Sequence, residues 1–145
     1  MGAALADRLG QPVPHTIDVA ALGTRLLQTG DGAVADALGR LRRASVLVVA
    51  TPTYKGTYTG VLKVLLDQLP AEGLQDVAAV TVVTAGVRAQ ADATERHLRE
   101  LLGELGAVPV TPGLAVVEAE LANAGTAAAA YVAQVGDAFT AEAAT

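Results

Sequence analysis

Two uninterrupted apolar runs constrain this chain more than any other feature: VLVVA at residues 46–50 and AAVTVV at residues 78–83. Neither alternates apolar with polar side chains, so neither suits a sheet with one wet face. Continuous β-branched runs of this kind belong to strands covered by helices on both faces, the usual situation of parallel sheets. LAVV at 114–117 reads as a third such strand, and PHTI at 14–17 as a weaker one at an edge. Between them the apolar residues recur with helical period. Leu98, Leu101, Leu102 and Leu105 form one stripe, with Gly106 as its stop. Val61, Leu62, Leu65, Leu66 and Leu69 form another, ending at Pro70, and two more helices are expected over residues 33–43 and along Ala128, Tyr131, Val132, Val135 and Phe139. Strands alternating with helices imply an α/β sandwich with a mostly parallel sheet, and 145 residues suit one domain, 1–145. Ligands on such sheets bind at the carboxyl ends of the strands, which directs attention to the loops after Ala50 and Val83.

The composition narrows the chemistry. With no cysteine, thiolate metal sites, disulfides and cysteine nucleophiles are excluded, and two isolated histidines leave little for a metal. No catalytic constellation of His, Cys or Asp stands out, so redox chemistry would have to come from a bound cofactor. A net charge of −5 argues against a nucleic-acid surface. The one basic cluster, Arg40, Arg42 and Arg43, sits where a helix should end and complements its dipole. No run approaches the roughly 20 apolar residues of a membrane span, and the N-terminus has no signal-peptide pattern, so a cytoplasmic protein without a membrane partner is expected.

Directly after VLVVA comes Thr51-Pro52-Thr53-Tyr54-Lys55-Gly56-Thr57-Tyr58-Thr59-Gly60, which holds two of the three tyrosines and runs into an apolar helix. Pro52 fixes its own φ and biases Thr51 to extended backbone, while Gly56 and Gly60 permit shapes that other residues resist. That is the composition of a ligand loop. Residues 50–70 resemble the second flavin-binding loop of the NAD(P)H-dependent FMN reductases of flavodoxin-like fold, including the reductase components of two-component sulfonate monooxygenases. Pro52, Tyr54, Thr59, Gly60, Leu62, Lys63 and Asp67 fill that pattern. The resemblance extends from about His15 to Val117. It implies a flavodoxin-like three-layer sandwich, FMN as cofactor, and NADPH or NADH as hydride donor. It further implies reduced flavin handed to a flavin-dependent monooxygenase, and a homodimer or homotetramer paired through the helices beside the flavin.

By the same resemblance, backbone groups of Pro52, Thr53, Tyr54, Lys55 and Gly56 flank the isoalloxazine ring. The family's third loop, Thr-Gly-Gly-like, corresponds to Thr84, Ala85 and Gly86, with Ala85 replacing one glycine. Family members open with a central strand and a Ser/Gly/Arg-rich loop that holds the FMN phosphate. Residues 2–10 instead read as the last turns of the helix after that loop, so the first strand is expected to be missing from this chain, leaving sheet edges unpaired. The chain is then expected to bind FMN poorly.

Among single residues, Tyr54 either stacks near the flavin or caps the sheet's end with its hydroxyl in water, and Lys55 either meets a phosphate or is merely solvated. Lys63 and Asp67 suit a surface ion pair. Arg88, at a helix start where the dipole disfavours a cation, invites a ligand or partner contact. His97 faces either solvent or a subunit interface, His15 is structural, and Thr51 and Thr84 satisfy backbone groups at the strand ends. Alternative functions are a quinone, azo-dye or metal-ion reductase with bound FMN, or a non-catalytic shortened flavodoxin-like module.

Overall fold

The computed structural model describes residues 1–110 and 112–142. Strand β1 (Val46–Tyr54) carries the hairpin strand β2 (Thr57–Tyr58) antiparallel on one side and β3 (Ala78–Ala85) parallel on the other. Strands β4 (Val108–Pro109) and β5 (Leu114–Val117) both pair parallel with β3. They are successive pieces of one interrupted edge strand. Ala79 pairs with Pro109 and Val82 with Leu114, so Val110, Pro112 and Gly113 lie in a bulge opposite residues 80–81 of β3.

Helices cover both faces. Helices α1 (Gly2–Arg8) and α6 (Ala124–Glu142) enclose one core, in which Leu5, Tyr131, Val132, Val135 and Phe139 meet Val80 and Val110. On the other face lie a short helix α2 (Val19–Leu22), α3 (Gly32–Arg43), α4 (Gly60–Leu66) and α5 (Arg88–Glu104). Their Leu41, Leu62, Leu65, Leu66, Leu98 and Leu102 pack on Val49, Ala79 and Val83. The leucine stripe of α5 ends as the sequence implies. Gly106 takes φ 87°, Gly106 N–H bonds Gly103 O, and Ala107 N–H bonds Leu102 O. That pattern is a Schellman stop. Asp31 starts α3 by accepting from Ala33 and Val34 N–H at 2.9 and 3.1 Å, and Arg25 beside it holds its carboxyl below the usual range. Arg40, Arg42 and Arg43 occupy the last turn of α3, as expected from the dipole.

Two expectations need correction. Residues 14–17 are irregular rather than a strand, with Pro14, His15 and Thr16 exposed. An edge strand exists only through pairing, and among the described residues no backbone hydrogen bond reaches this segment; Pro14 has no donor to offer. Ile17 packs its side chain against the core. Conversely β1 runs on past Ala50 to Tyr54, through a proline. Ala78 N–H donates to Ser45 O, which sets the alternation along the strand. Leu47, Val49 and Thr51 aim backbone groups at β3, and Val46, Val48, Ala50 and Pro52 aim theirs away. Pro52 therefore sacrifices no bond to β3.

Beyond Val46 to Ala50, on the side away from β3, no strand is present among the described residues. Burial records the difference. Ala79, Val80, Thr81 and Val83 of β3 are 0% exposed, whereas Val46, Leu47 and Val48 of β1 are only half-buried.

Candidate functional site

The carboxyl ends of the three parallel strands finish level. Pro52 of β1 pairs with Thr84 of β3, and Ala85 of β3 with Val117 of β5. The two segments singled out in the sequence therefore stand side by side at one end of the sheet.

The first segment is a tight hairpin rather than an open loop. Tyr54 pairs with Thr57, leaving Lys55 and Gly56 as the turn, with φ of 53° and 90°. Positive φ at both central residues marks the type I′ turn that matches strand twist. Lysine there costs about 1 kcal/mol relative to glycine. The turn holds Tyr54 at the tip with 66% of its surface exposed. Three threonines fasten the hairpin to its neighbours. Thr51 Oγ1 donates to Pro52 O at 2.9 Å and accepts from Thr59 N–H at 3.2 Å, tying β1 to the start of α4. Thr53 Oγ1 donates to Thr94 Oγ1 of α5 at 3.1 Å, and Thr57 Oγ1 lies 3.4 Å from His97 Nδ1. Thus His97 serves the hairpin, and Thr51 satisfies backbone groups as expected. Tyr58 packs against the core.

In the second segment Ala85 turns its methyl into the core and is 2% exposed, so a side chain in place of a family glycine is accommodated inward. Gly86 is exposed and leads to Val87, which is 55% exposed at the N-cap of α5. A Cβ built on Gly86 meets nothing within 4 Å, and its φ lies outside the left-handed range. Neither backbone conformation nor packing within the chain calls for glycine at this position. What glycine leaves there is bare backbone open to a close-approaching molecule. Sequence reading missed Val87, whose only signal was its place after Gly86.

Arg88 is engaged within the chain. The alternation set by Val110 N–H donating to Ala79 O makes Ala115 and Val117 of β5 aim their backbone groups away from β3. Arg88 donates to Ala115 O, Glu120 accepts from Val117 N–H at 3.2 Å, and Arg88 and Glu120 pair at 3.0 Å. This clamp closes the outer edge of β5. Its position at a helix start is explained by that edge. Lys63 and Asp67 form the expected surface pair, which lifts the lysine's pKa.

Cavities of about 320 Å³ between α5, β5 and α6 and about 210 Å³ between residues 15–18 and α3 lie elsewhere; neither includes residues 52–56 or 84–86. The strand-end site is an open shelf. Its walls are an aromatic ring, an exposed valine and bare backbone, with no charged side chain buried among them, a surface suited to a flat, mostly apolar ring with a polar rim. Met1 stands at the N-cap of α1 and makes no side-chain capping bond there. Likewise, no cluster of three or more His, Asp or Glu able to hold a metal occurs among the described residues.

The family model of NADPH-dependent FMN reductases matches residues 5–121. The NADH-dependent FMN reductase SfnE of Pseudomonas putida is 31% identical over 127 residues, covering 84% of this chain and 68% of that protein. An FMN reductase (NADPH) of Pseudomonas aeruginosa is 32% identical over 128 residues, covering 83% of this chain and 69% of that protein. The crystal structure of an NADH:FMN oxidoreductase in its apo form superposes with a TM-score of 0.76 at 29% identity, covering 96% of this chain and 76% of that one.

Proposed function

The chain belongs to the NADPH-dependent FMN reductase family, oxidoreductases that pass a hydride from NAD(P)H to flavin, and from that premise we propose that residues 52–56 and 84–87 form the ring-facing wall of its flavin site. The observation that carries this reading is Gly86, whose glycine nothing in the chain calls for. When bound, FMN supplies the hydride-accepting ring. The chain's own residues then do positioning work. Tyr54 presents a face or edge for stacking, Val87 excludes water, and backbone N–H groups of the hairpin tip and Gly86 meet the polar rim. No proton-transfer residue is needed at the shelf, because hydride transfer asks for alignment above all.

The experiment is flavin titration by fluorescence with Gly86→Leu. A side chain there should leave the melting temperature within about 2 °C and weaken flavin binding at least tenfold. Unchanged binding would refute the placement. The phosphate is a separate matter. On this reading the residues of the shelf hold the ring and not the phosphate, so the 145-residue chain binds lumiflavin and FMN with similar, weak affinity. A clear preference for FMN, or micromolar binding, would overturn it.

The same proposal extends to a cytoplasmic homodimer or homotetramer delivering reduced flavin to a flavin-dependent monooxygenase. In support, no helix among the described residues is long and apolar enough to cross a membrane. Steady-state assays with free FMN against quinones, azo dyes and ferric chelates identify the acceptor. A colourless protein without NAD(P)H oxidase activity would favour the non-catalytic module instead.

A further inference from the structure

The ladder between β1 and β3 ends with Pro52 opposite Thr84, so the hairpin from Thr53 to Tyr58 projects past the last paired residue of its neighbour. Strand pairing therefore does not fix how its tip is oriented. Tyr54, 66% exposed, goes where that hairpin backbone carries it. The second wall has a different anchor, because Gly86 and Val87 lead directly into α5, with Val87 as its N-cap. What joins the two walls beyond the sheet is α5 itself. Thr53 Oγ1 on β1 donates to Thr94 Oγ1 at 3.1 Å, and Thr57 Oγ1 on β2 lies 3.4 Å from His97 Nδ1. Each strand of the hairpin is thus held to the same helix, at points about one turn apart.

Thr94 is the unexpected residue of the two. It is 0% exposed on a helix face where Ala91, Leu98 and Leu102 are also 0% exposed and apolar. A β-branched hydroxyl residue is a weak helix former, and a buried hydroxyl costs free energy unless it is bonded. Valine would fill the same volume without that cost. The bond this hydroxyl makes across the chain is the one to Thr53.

We propose that Thr94 is a positioning residue for the flavin site, its hydroxyl fixing the hairpin that bears Tyr54 at a set spacing from Gly86 and Val87. The proposal rests on the reading of residues 52–56 and 84–87 as the ring-facing wall. Thr94 itself is buried and acts through Thr53. Without its hydroxyl the hairpin pivots on its remaining ties at Thr51 and His97, and only a fraction of its orientations leaves the gap that accepts a flat ring. Apparent affinity falls by that fraction. Because one neutral hydrogen bond sets the population, the loss is about three- to tenfold.

Thr94→Val and Thr94→Ser test this, since one keeps the volume and loses the hydroxyl while the other keeps the hydroxyl and loses a methyl. Urea unfolding reads stability. Hydrogen exchange of the Tyr54 and Thr57 amides, opposed across the hairpin, reads the tether without flavin. Fluorescence titration with lumiflavin, which has no phosphate, reads ring binding. Thr94→Val should exchange those amides at least threefold faster and bind lumiflavin about three- to tenfold more weakly. Thr94→Ser should match the wild type within twofold in both, even with the lower urea midpoint of the two variants. A residue that only packed the core would give the reverse order, with valine the better substitute. Thr53→Val removes the other half of the bond at a half-buried position, so it should reproduce the loss even if Thr94→Val fails to fold. Unchanged lumiflavin binding in a folded Thr94→Val or in Thr53→Val would overturn the proposal, as would a Thr94→Ser variant as weak as Thr94→Val. Gly86→Leu separates the two levels. If it weakens lumiflavin binding and the threonine variants do not, positioning by Thr94 fails while the wall stands; if none of them weakens it, the wall itself is misplaced and the proposal falls with it.

Discussion

Gly113, in the bulge between β4 and β5, is the position where a single methyl group should do most damage. A Cβ there would lie 2.8 Å from Glu95 Cδ and closer still to Glu95 Oε1 and Thr81 Oγ1. Those atoms cannot simply retreat. Thr81 is 0% exposed in the middle of β3, Glu95 is 8% exposed, and the threonine hydroxyl donates to the carboxylate at 2.7 Å while Arg99 lies 3.2 Å from it. Gly113→Ala must either break that charge-assisted bond, costing about 1.5–3 kcal/mol, or push the bulge outward against the Tyr131 hydroxyl that donates to Pro112 O at 2.8 Å. Overpacking adds about 1–3 kcal/mol. The total is about 3–5 kcal/mol, a large share of a typical domain's 5–15 kcal/mol. At this chain length that corresponds to a fall in melting temperature of roughly 10 °C. Urea unfolding followed by circular dichroism measures it. Adding Thr81→Ala should recover part of the loss, with a coupling of about 1–2 kcal/mol in a double-mutant cycle. A loss below about 1 kcal/mol, or strict additivity, would show that the bulge yields easily and that Gly113 is not held by this contact.

Other substitutions probe the remaining devices. Lys55→Gly should raise stability by about 0.5–1 kcal/mol in urea unfolding, because glycine takes the left-handed turn position without the Cβ penalty. Arg88→Ala, at a half-exposed site, should cost about 1 kcal/mol and speed exchange of the Val117 amide as the β5 clamp opens. Burial, with the Glu95 charge adding to it, pushes the Tyr131 hydroxyl up to about 12. A raised folded pKa favours the protonated native form, so this contribution is whole below pH 10 and is lost as pH rises through 12. The loss is at most about 2–3 kcal/mol, read as a falling urea midpoint that is absent in Tyr131→Phe. Asp31 works in the opposite sense. Its lowered pKa stabilises the fold above the ordinary carboxylate range, and Asp31→Asn should blunt the loss of stability as pH falls through that range.

Much of this protein was legible in its residues because the relevant physics is local or periodic. Unbroken β-branched runs could only be buried parallel strands. The leucine spacing of α5 with Gly106 behind it could only be a helix with a left-handed stop, and the Pro-x-Tyr segment carried the family. Residues 14–17 misled because strand propensity says nothing about whether a neighbour is there to pair with. The hairpin at Tyr54 was hidden for a related reason. A Lys-Gly turn signals itself weakly, and the threonines that fasten it, Thr53 to Thr94 and Thr57 to His97, join partners some 40 positions apart in the chain. The sequence left the role of Arg88 open because its partners, Ala115 and Glu120, come close only when β5 lies beside β3. The sequence by itself determined the layers, the strand directions and the segment that carries the family resemblance. Tertiary structure decided which edges are closed, why Gly86 is bare, and how rigid the wall is, because those depend on groups brought together across the fold and no local pattern encodes them.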